Sequence, residues 1–527
     1  MSTAVIEASP AVVEQGLFTD LANAQDMFDI AAACYYFIET NKGGDDATFV
    51  YGFDEFQKTK QSSKFLNALL ELCNQDYVFF QFLQNLQELL KSFSSSRADL
   101  TYYALMILHL IDSMQSTKIV SDNYPYEGKL NQHVRSDFCV VYPQETKSFL
   151  SRRYYQGNSM FRRPLRHYRL GEMFRSILIL PCSLLAGCIP KLYHINLTSL
   201  SADRLFKEKR FKIASIPFIG HDTFKFRDPD TDGEIEDHSR SFYISYDSLT
   251  KEDENRFWGL LSKAIASGAN IIVFPEYIFK PSLRKKLQDF LKNGEYPELW
   301  LVIAGTSLEY NKETRKNCNT MQLFTGRGIE LPGYTKHTAF LSLPHELVHG
   351  VYYGASVEDE EATVTETGVI PSHIEKFENL SNAPRSCVLI DIEGVGRVLP
   401  AVCRDIIEGD YTRNLAEMFM PSMLLIPAWS TSVSSFTTPL KQLADSLHIT
   451  SLLCNCCNAV KRKTTLGMFV MPRKVCHYMH ARITKLHGAA DCTNICSGCI
   501  HMITFSYGGI ALTSDVQHIP LDISDGG

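Results

Sequence analysis

From Leu17 to about Met114, apolar positions recur at helical spacing. Leu66, Leu69, Leu70 and Cys73 form one stripe. Phe79, Phe82, Leu83, Leu86, Leu89 and Leu90 form a second, and Leu105, Leu108 and Ile111 a third. This period predicts amphipathic helices. Gly43-Gly44-Asp45-Asp46 and Ser94-Ser95-Ser96 are the expected breaks between them. No chemical motif falls here, so residues 1–120 read as a mostly α-helical N-terminal domain with a docking or regulatory role.

Around Phe211 the rhythm changes to alternating strand and helix. Apolar runs at Phe211–Pro217, Ala269–Phe274, Leu299–Gly305, Gly396–Val402, Met423–Trp429 and Ile449–Asn458 read as buried strands. Helical patterns at Glu254–Ser267, Tyr411–Met418 and Thr438–Leu447 lie between some of them. Asn319–Phe324 and the turn at Gly326-Arg327-Gly328 predict a hairpin. Such alternation argues for one large α/β domain over residues 206–527. The region near 345–383, with Glu358-Asp359-Glu360-Glu361 at its centre, breaks the rhythm and reads as an insertion or lid.

A chain of 527 residues exceeds one ordinary core, which requires at least two domains. With 45% hydrophobic and 21% charged residues it is a globular protein and not a disordered one. A net charge of −7 gives no general pull toward nucleic acid or anionic membranes. The first residues lack the basic start and apolar core of a signal peptide. The apolar run from Ile177 to Pro190 is short and broken by Pro181, so no membrane span is expected. Fifteen cysteines, an odd count, favour reduced thiols in a cytoplasmic setting.

Within 121–205, a connector or a continuation of the helical domain, Arg152, Arg153, Arg162, Arg163, Arg166, Arg169 and Arg175 are interleaved with aromatics. This composition suits a nucleic-acid backbone, although an interdomain surface of arginine pairs is the favoured reading. Asp228-Pro229-Asp230-Thr231-Asp232-Gly233 matches the first half of a calcium loop, but Ser239 stands where the bidentate glutamate belongs. An exposed acidic hairpin fits better.

Three chemically able groups stand at strand ends: Glu276, Lys336 and Cys403. A cysteine needs a base or a cation to attack as thiolate. A carboxylate in apolar surroundings has its pKa raised, which suits proton shuttling, and a lysine can stabilise an oxyanion. Singly, each is ordinary. Together, Gly268 through Glu276 resembles the glutamate motif of the nitrilase superfamily of carbon–nitrogen hydrolases. Asn319-Thr320 through Gly328 and on to Tyr334-Thr335-Lys336-His337 looks like that family's lysine motif, and Gly396-Arg397-Val398 through Cys403-Arg404-Asp405 is similar to its cysteine motif.

The resemblance implies a four-layer α-β-β-α sandwich that assembles as a homo-oligomer through this domain. It also implies amide or nitrile hydrolysis through a thioester or thioimidate on Cys403. Glu276 would shuttle the proton, and Lys336 with the backbone N–H of Arg404 would hold the oxyanion. Glu346, Tyr277 and Trp429 are candidate supporting residues. No cofactor is required. The departures are the long gap between Lys336 and Cys403 and Pro400 within an inner strand, where it would remove a ladder hydrogen bond.

The chain ends in a cysteine-rich stretch. Cys492, Cys496, Cys499 and His501 have the ligand types for a structural zinc, without one of the strong paired spacings. Buried and loop thiols are the competing reading. The leading function is an amidase-type hydrolase. The alternatives are an amide-forming acyltransferase and a nitrilase-like scaffold in a multiprotein or antiviral-defence assembly. Nitrilase-like domains also occur attached to reverse transcriptases, but this chain has no Tyr-x-Asp-Asp motif.

Overall fold

Side-chain caps start several of the described helices. Asp26 accepts from the N–H groups of Phe28 and Asp29 at the head of Met27–Asn41, and Thr59 accepts from Ser62 at the head of Lys60–Cys73. Each supplies an acceptor to orphan donors of a first turn. The computed structural model describes residues 10–42, 46–118, 128–129, 133–134, 139–143, 174, 177–181, 189–218, 224–227, 241–246, 250–311, 316–336, 341–342, 376–378, 386–407, 410–419, 421–430, 432–457, 465–475, 478–487, 498–507 and 512–520. The chain divides into two compact units. The first comprises Met1–Pro125, Lys129–Thr146 and Gln156–Gly187; the second comprises Tyr126–Gly128, Lys147–Tyr155 and Cys188–Gly527.

In the first unit the described helices are Pro10–Ala22, Met27–Asn41, Asp46–Gln57, Lys60–Cys73, Phe79–Phe93 and Arg97–Lys118. The serine break falls between the last two. In Phe79–Phe93 the buried positions are Leu83, Leu86 and Leu90, one face of the stripe read from the sequence. Phe53, Phe65 and Tyr103 are fully buried at the centre of this core. A small antiparallel sheet of His133–Val134, Cys139–Pro143 and Ile177–Pro181 belongs to the same unit. The Asp112 carboxylate accepts from the Ile177 N–H at 3.0 Å and ties that sheet to the last helix.

The second unit is mixed α/β with two large sheets. One runs in the order Glu330–Thr335, Lys316–Thr325, Leu301–Asn311, Ile271–Val273, Arg210–Ser215, Cys499–Tyr507, Leu512–Pro520. The other includes, in order, Ile189–Ile195, Ser386–Ile392, Gly396–Pro400, Met423–Ala428, Thr450–Asn455, Gly467–Val475 and Tyr478–Leu486. The Ile271–Val273 strand lies between two parallel neighbours, with Val273 beside Ser215 and Ile303. A parallel strand covered on both faces is written as an unbroken apolar run, and all three residues are fully buried.

Asn270 fixes the entry to this strand. Its side-chain oxygen accepts from the Lys212 N–H, and its amide donates to the Glu298 carbonyl, both at 2.8 Å. Helices Lys251–Ala266 and Pro281–Asn293 bury Phe257, Leu260, Leu261, Leu283, Leu287 and Leu291 against Ile272, Val302, Ile500 and Met502 of the first sheet and against Phe274 just beyond its strand. Helix Thr437–Leu447 packs on the second sheet.

Two expectations change in detail. The Leu299–Gly305 run continues as a strand to Asn311, and Gly305 marks a bulge instead of an end. Pro400 is compatible with its inner strand. Pairing with Ser386–Ile392 ends at Val398, and on the other edge the bond to Leu425 is donated by Ala401. The missing N–H of Pro400 therefore faces the side where no ladder bond is due. The arginine–aromatic segment (apart from Phe174), the half calcium loop and most of 345–383 lie outside the described residues.

Candidate active site

Glu276 stands three residues beyond the end of its strand, fully buried. Its backbone N–H reaches the Ala428 carbonyl on the other sheet at 3.4 Å. The next residue, Tyr277, has a left-handed backbone (φ 61°) and donates its N–H to Thr306 Oγ1 at 2.9 Å. Thr306 is available because of the bulge at Gly305, whose φ is +89°. A Cβ there would stand 2.4 Å from the Pro275 carbonyl oxygen, so glycine is required for this close approach.

Three donors converge on the Glu276 carboxylate. Lys336 Nζ and Asn319 Nδ2 each reach Oε1 at 2.8 Å, and the Trp429 backbone N–H reaches Oε2 at 3.1 Å. The sequence suggested an acid in apolar surroundings. Its surroundings are buried but polar at every contact just named, an arrangement that suits the ionised carboxylate. Lys336 is also buried. Its Nζ donates to Tyr277 Oη at 3.3 Å, and it lies 5.5 Å from that ring's centroid. The Lys336 backbone N–H donates to the Asn319 carbonyl at 2.9 Å, so one asparagine holds both members of the ion pair.

Cys403 follows the Gly396–Pro400 strand and opens the short 3-10 turn Cys403–Ile406. Its φ is 43°, unusual for a residue with a Cβ. Among the described residues, Lys209, Glu295 and His448 share this region and follow helix ends; Tyr277 and Cys403 do not. The thiol lies 3.8 Å from the Trp429 carbonyl and is nearly inaccessible, at 4% exposure. Burial first, then the negative charge of Glu276, pushes the thiol well above its ordinary pKa; the Lys336 ammonium pulls it down. The resting group is a neutral thiol.

Asp405, two residues on, accepts from Tyr334 Oη at 3.0 Å. Tyr334 lies two residues before Lys336, so this bond joins the cysteine turn to the lysine strand. The structure thus brings Glu276, Lys336 and Cys403 together with Tyr277 and Trp429. Arg404 sits half-buried in the turn beside Cys403. Glu346 lies outside the described residues. Asn319, Thr306, Tyr334 and Asp405 had no assigned role in the sequence. Asn319 and Tyr334 were visible only as parts of the lysine motif.

Of the zinc candidates, Cys492 and Cys496 lie outside the described residues, while Cys499 and His501 share the Cys499–Tyr507 strand. Cys454 and Cys456 direct their thiols to the carbonyls of Val273 and Phe218, at 3.3 and 3.4 Å. Cys457 packs with Leu466 and Cys499.

No protein-family model and no curated protein match the chain. Among solved structures it is distantly similar to amidases. An amidase from Nesterenkonia sp. shares 12% identity over 53% of this chain and 90% of its own, with a TM-score of 0.30. A mutant Nesterenkonia AN1 amidase from the nitrilase superfamily gives 12%, 52%, 91% and 0.29. A third structure shows the acetamide moiety of fluoroacetamide covalently added at the active site cysteine of a mutant of the amidase from Nesterenkonia sp. AN1. It gives 12%, 53%, 90% and 0.30. A likeness of this degree carries no weight on chemistry. Among the described residues, no helix is long and apolar enough to cross a membrane.

Proposed function

We propose that the second unit is a cysteine hydrolase of non-peptide carbon–nitrogen bonds, of amidase type, with Glu276, Lys336 and Cys403 as its catalytic residues. The observation that carries this reading is the buried Glu276–Lys336 ion pair beside a thiol on left-handed backbone. The same reading arranges the unit as a four-layer α-β-β-α sandwich. Helices packed on each sheet, and hydrogen bonds from Cys454 and Glu276 across the two sheets, support that arrangement.

In the reaction, Cys403 Sγ attacks the amide carbonyl carbon as its proton passes to Glu276. Lys336 and the Arg404 backbone N–H stabilise the oxyanion of the tetrahedral intermediate. As the tetrahedral intermediate collapses, Glu276 returns the proton to the nitrogen, the carbon–nitrogen bond breaks, and amine or ammonia departs to leave a thioester on Cys403. Water, deprotonated by Glu276, attacks the thioester; the thiolate leaves and is reprotonated as the carboxylic acid departs. Burial of all three groups favours a small acyl group over a polypeptide.

The test is ammonia release from a panel of small primary amides and nitriles, together with intact-mass detection of an acyl adduct. Turnover and the adduct should both vanish in Cys403→Ala. No turnover and no adduct on any panel member, with Cys403 no more reactive than the other cysteines, would favour a scaffold instead.

A further inference from the structure

The last hairpin carries a second cluster that this mechanism does not use. Cys499 and His501 are two apart on Cys499–Tyr507 and therefore share a face of the sheet. His518 on Leu512–Pro520 lies directly across from His501 and projects to that same face. Cys499 Sγ, one ring nitrogen of His501 and one of His518 all lie within 4.8 Å of one another. The two imidazole centroids are 5.4 Å apart.

Hydrogen bonding decides which nitrogen of His501 is available. Nε2 lies 2.8 Å from the His487 carbonyl, and a carbonyl only accepts. Nε2 therefore carries the proton, which leaves Nδ1 as a bare lone pair. Nδ1 of His501 and Nε2 of His518 are both buried and have no hydrogen-bond partner. Two buried, unsatisfied imidazole nitrogens beside a thiol call for a shared positive centre. The His487 carbonyl fixes the tautomer and orientation of His501, as outer hydrogen bonds do for metal-ligating histidines.

We propose that Cys499, His501 and His518 bind a borderline-soft divalent transition-metal ion of the zinc class. Cys499 binds as thiolate, and both histidines bind as neutral imidazoles. Bonds of about 2.0–2.3 Å in a tetrahedron place donors roughly 3.5 Å apart, so only a small contraction of the cluster is needed. His501 is 2% exposed while His518 is half-buried, so the fourth position falls on the His518 side, open to water. His501 is register partner to Ser215, and Ser215 to Val273, so the ion fixes the sheet row that leads to Glu276. This inference does not depend on the proposed hydrolase activity.

The experiment is titration of the purified, metal-stripped full chain with cobalt(II), followed by absorption spectroscopy. One ion should bind per chain, with a thiolate-to-metal charge-transfer band and the strong visible bands of four-coordinate cobalt. Cys499→Ser should lose the charge-transfer band, and Cys403→Ala should retain it. His518→Gln, at a half-buried position that leaves the fold intact, should weaken cobalt binding by at least about tenfold. Failure to bind cobalt, an undiminished charge-transfer band in Cys499→Ser, or unchanged affinity in His518→Gln would each overturn the proposal.

Discussion

Glu276 acts on the Cys403 thiol in two opposed ways, and substitution separates them. Its charge raises the thiol pKa, and its carboxylate is the base that receives the proton. Glu276→Gln removes the charge and leaves Lys336 facing the sulfur. The pH midpoint for iodoacetamide labelling of Cys403, followed by mass spectrometry, should therefore move to lower pH, while turnover is lost. Lys336→Met should move it the opposite way. It should also cost about 3–5 kcal/mol in stability, because it strands a buried carboxylate. A midpoint unmoved in Glu276→Gln would mean that the carboxylate does not face the thiol in solution.

At the scale of elements, the bulge at Gly305 and the turn at Cys403 align the reactive groups. Gly305→Ala would place a methyl group against the Pro275 carbonyl and force alanine into left-handed backbone. A loss of about 2 kcal/mol or more in thermal or denaturant unfolding is expected, with activity falling further because Thr306 no longer anchors Tyr277. Unchanged stability would show that the Pro275 loop yields easily.

This scale also shows what the chain disclosed beforehand. Ile271–Val273 was legible because a strand buried on both faces must be apolar throughout. The helix Lys251–Ala266 was legible from its period over Glu254–Ser267, whereas its Thr250 cap is seen only in the structure. An isolated glycine marks a bulge and a terminus equally well, so the Leu299–Gly305 run does not disclose that the strand continues past Gly305. Asn319 has no local signal, since its partner Glu276 lies 43 residues away and is reached through sheet order. His518 was missed for a similar reason: only the hairpin's register sets it opposite His501.

Across the whole molecule, buried neutral thiols couple stability to alkaline pH. Burial pushes Cys34 of the first unit far above its ordinary value, pushes Cys454 of the second to about 12, and raises Cys403 well above its usual range. A thiol whose pKa is raised in the folded state contributes fully below the unfolded value of about 8.5, and that contribution is lost as pH climbs toward the folded value. Above about 8.5 the unfolded chain binds fewer protons. Unfolding free energy should then fall by up to about 1.4 kcal/mol per pH unit for each such thiol. Melting curves between about pH 7.5 and 10 should show this slope in the transitions of both units. Cys34→Ala should flatten it for the first unit alone. An equal slope with and without Cys34 would assign the effect to other groups.

The main chain of residue 429 has a consequence for how this site varies. Its N–H holds Glu276, and its carbonyl faces the Cys403 thiol, so both contacts belong to the main chain. Any side chain except proline preserves the donor, and every residue preserves the acceptor. Related chains could therefore drift in identity at 429 while keeping the same catalytic contacts, and a replacement scan would register mainly the lost packing of the indole against Tyr277.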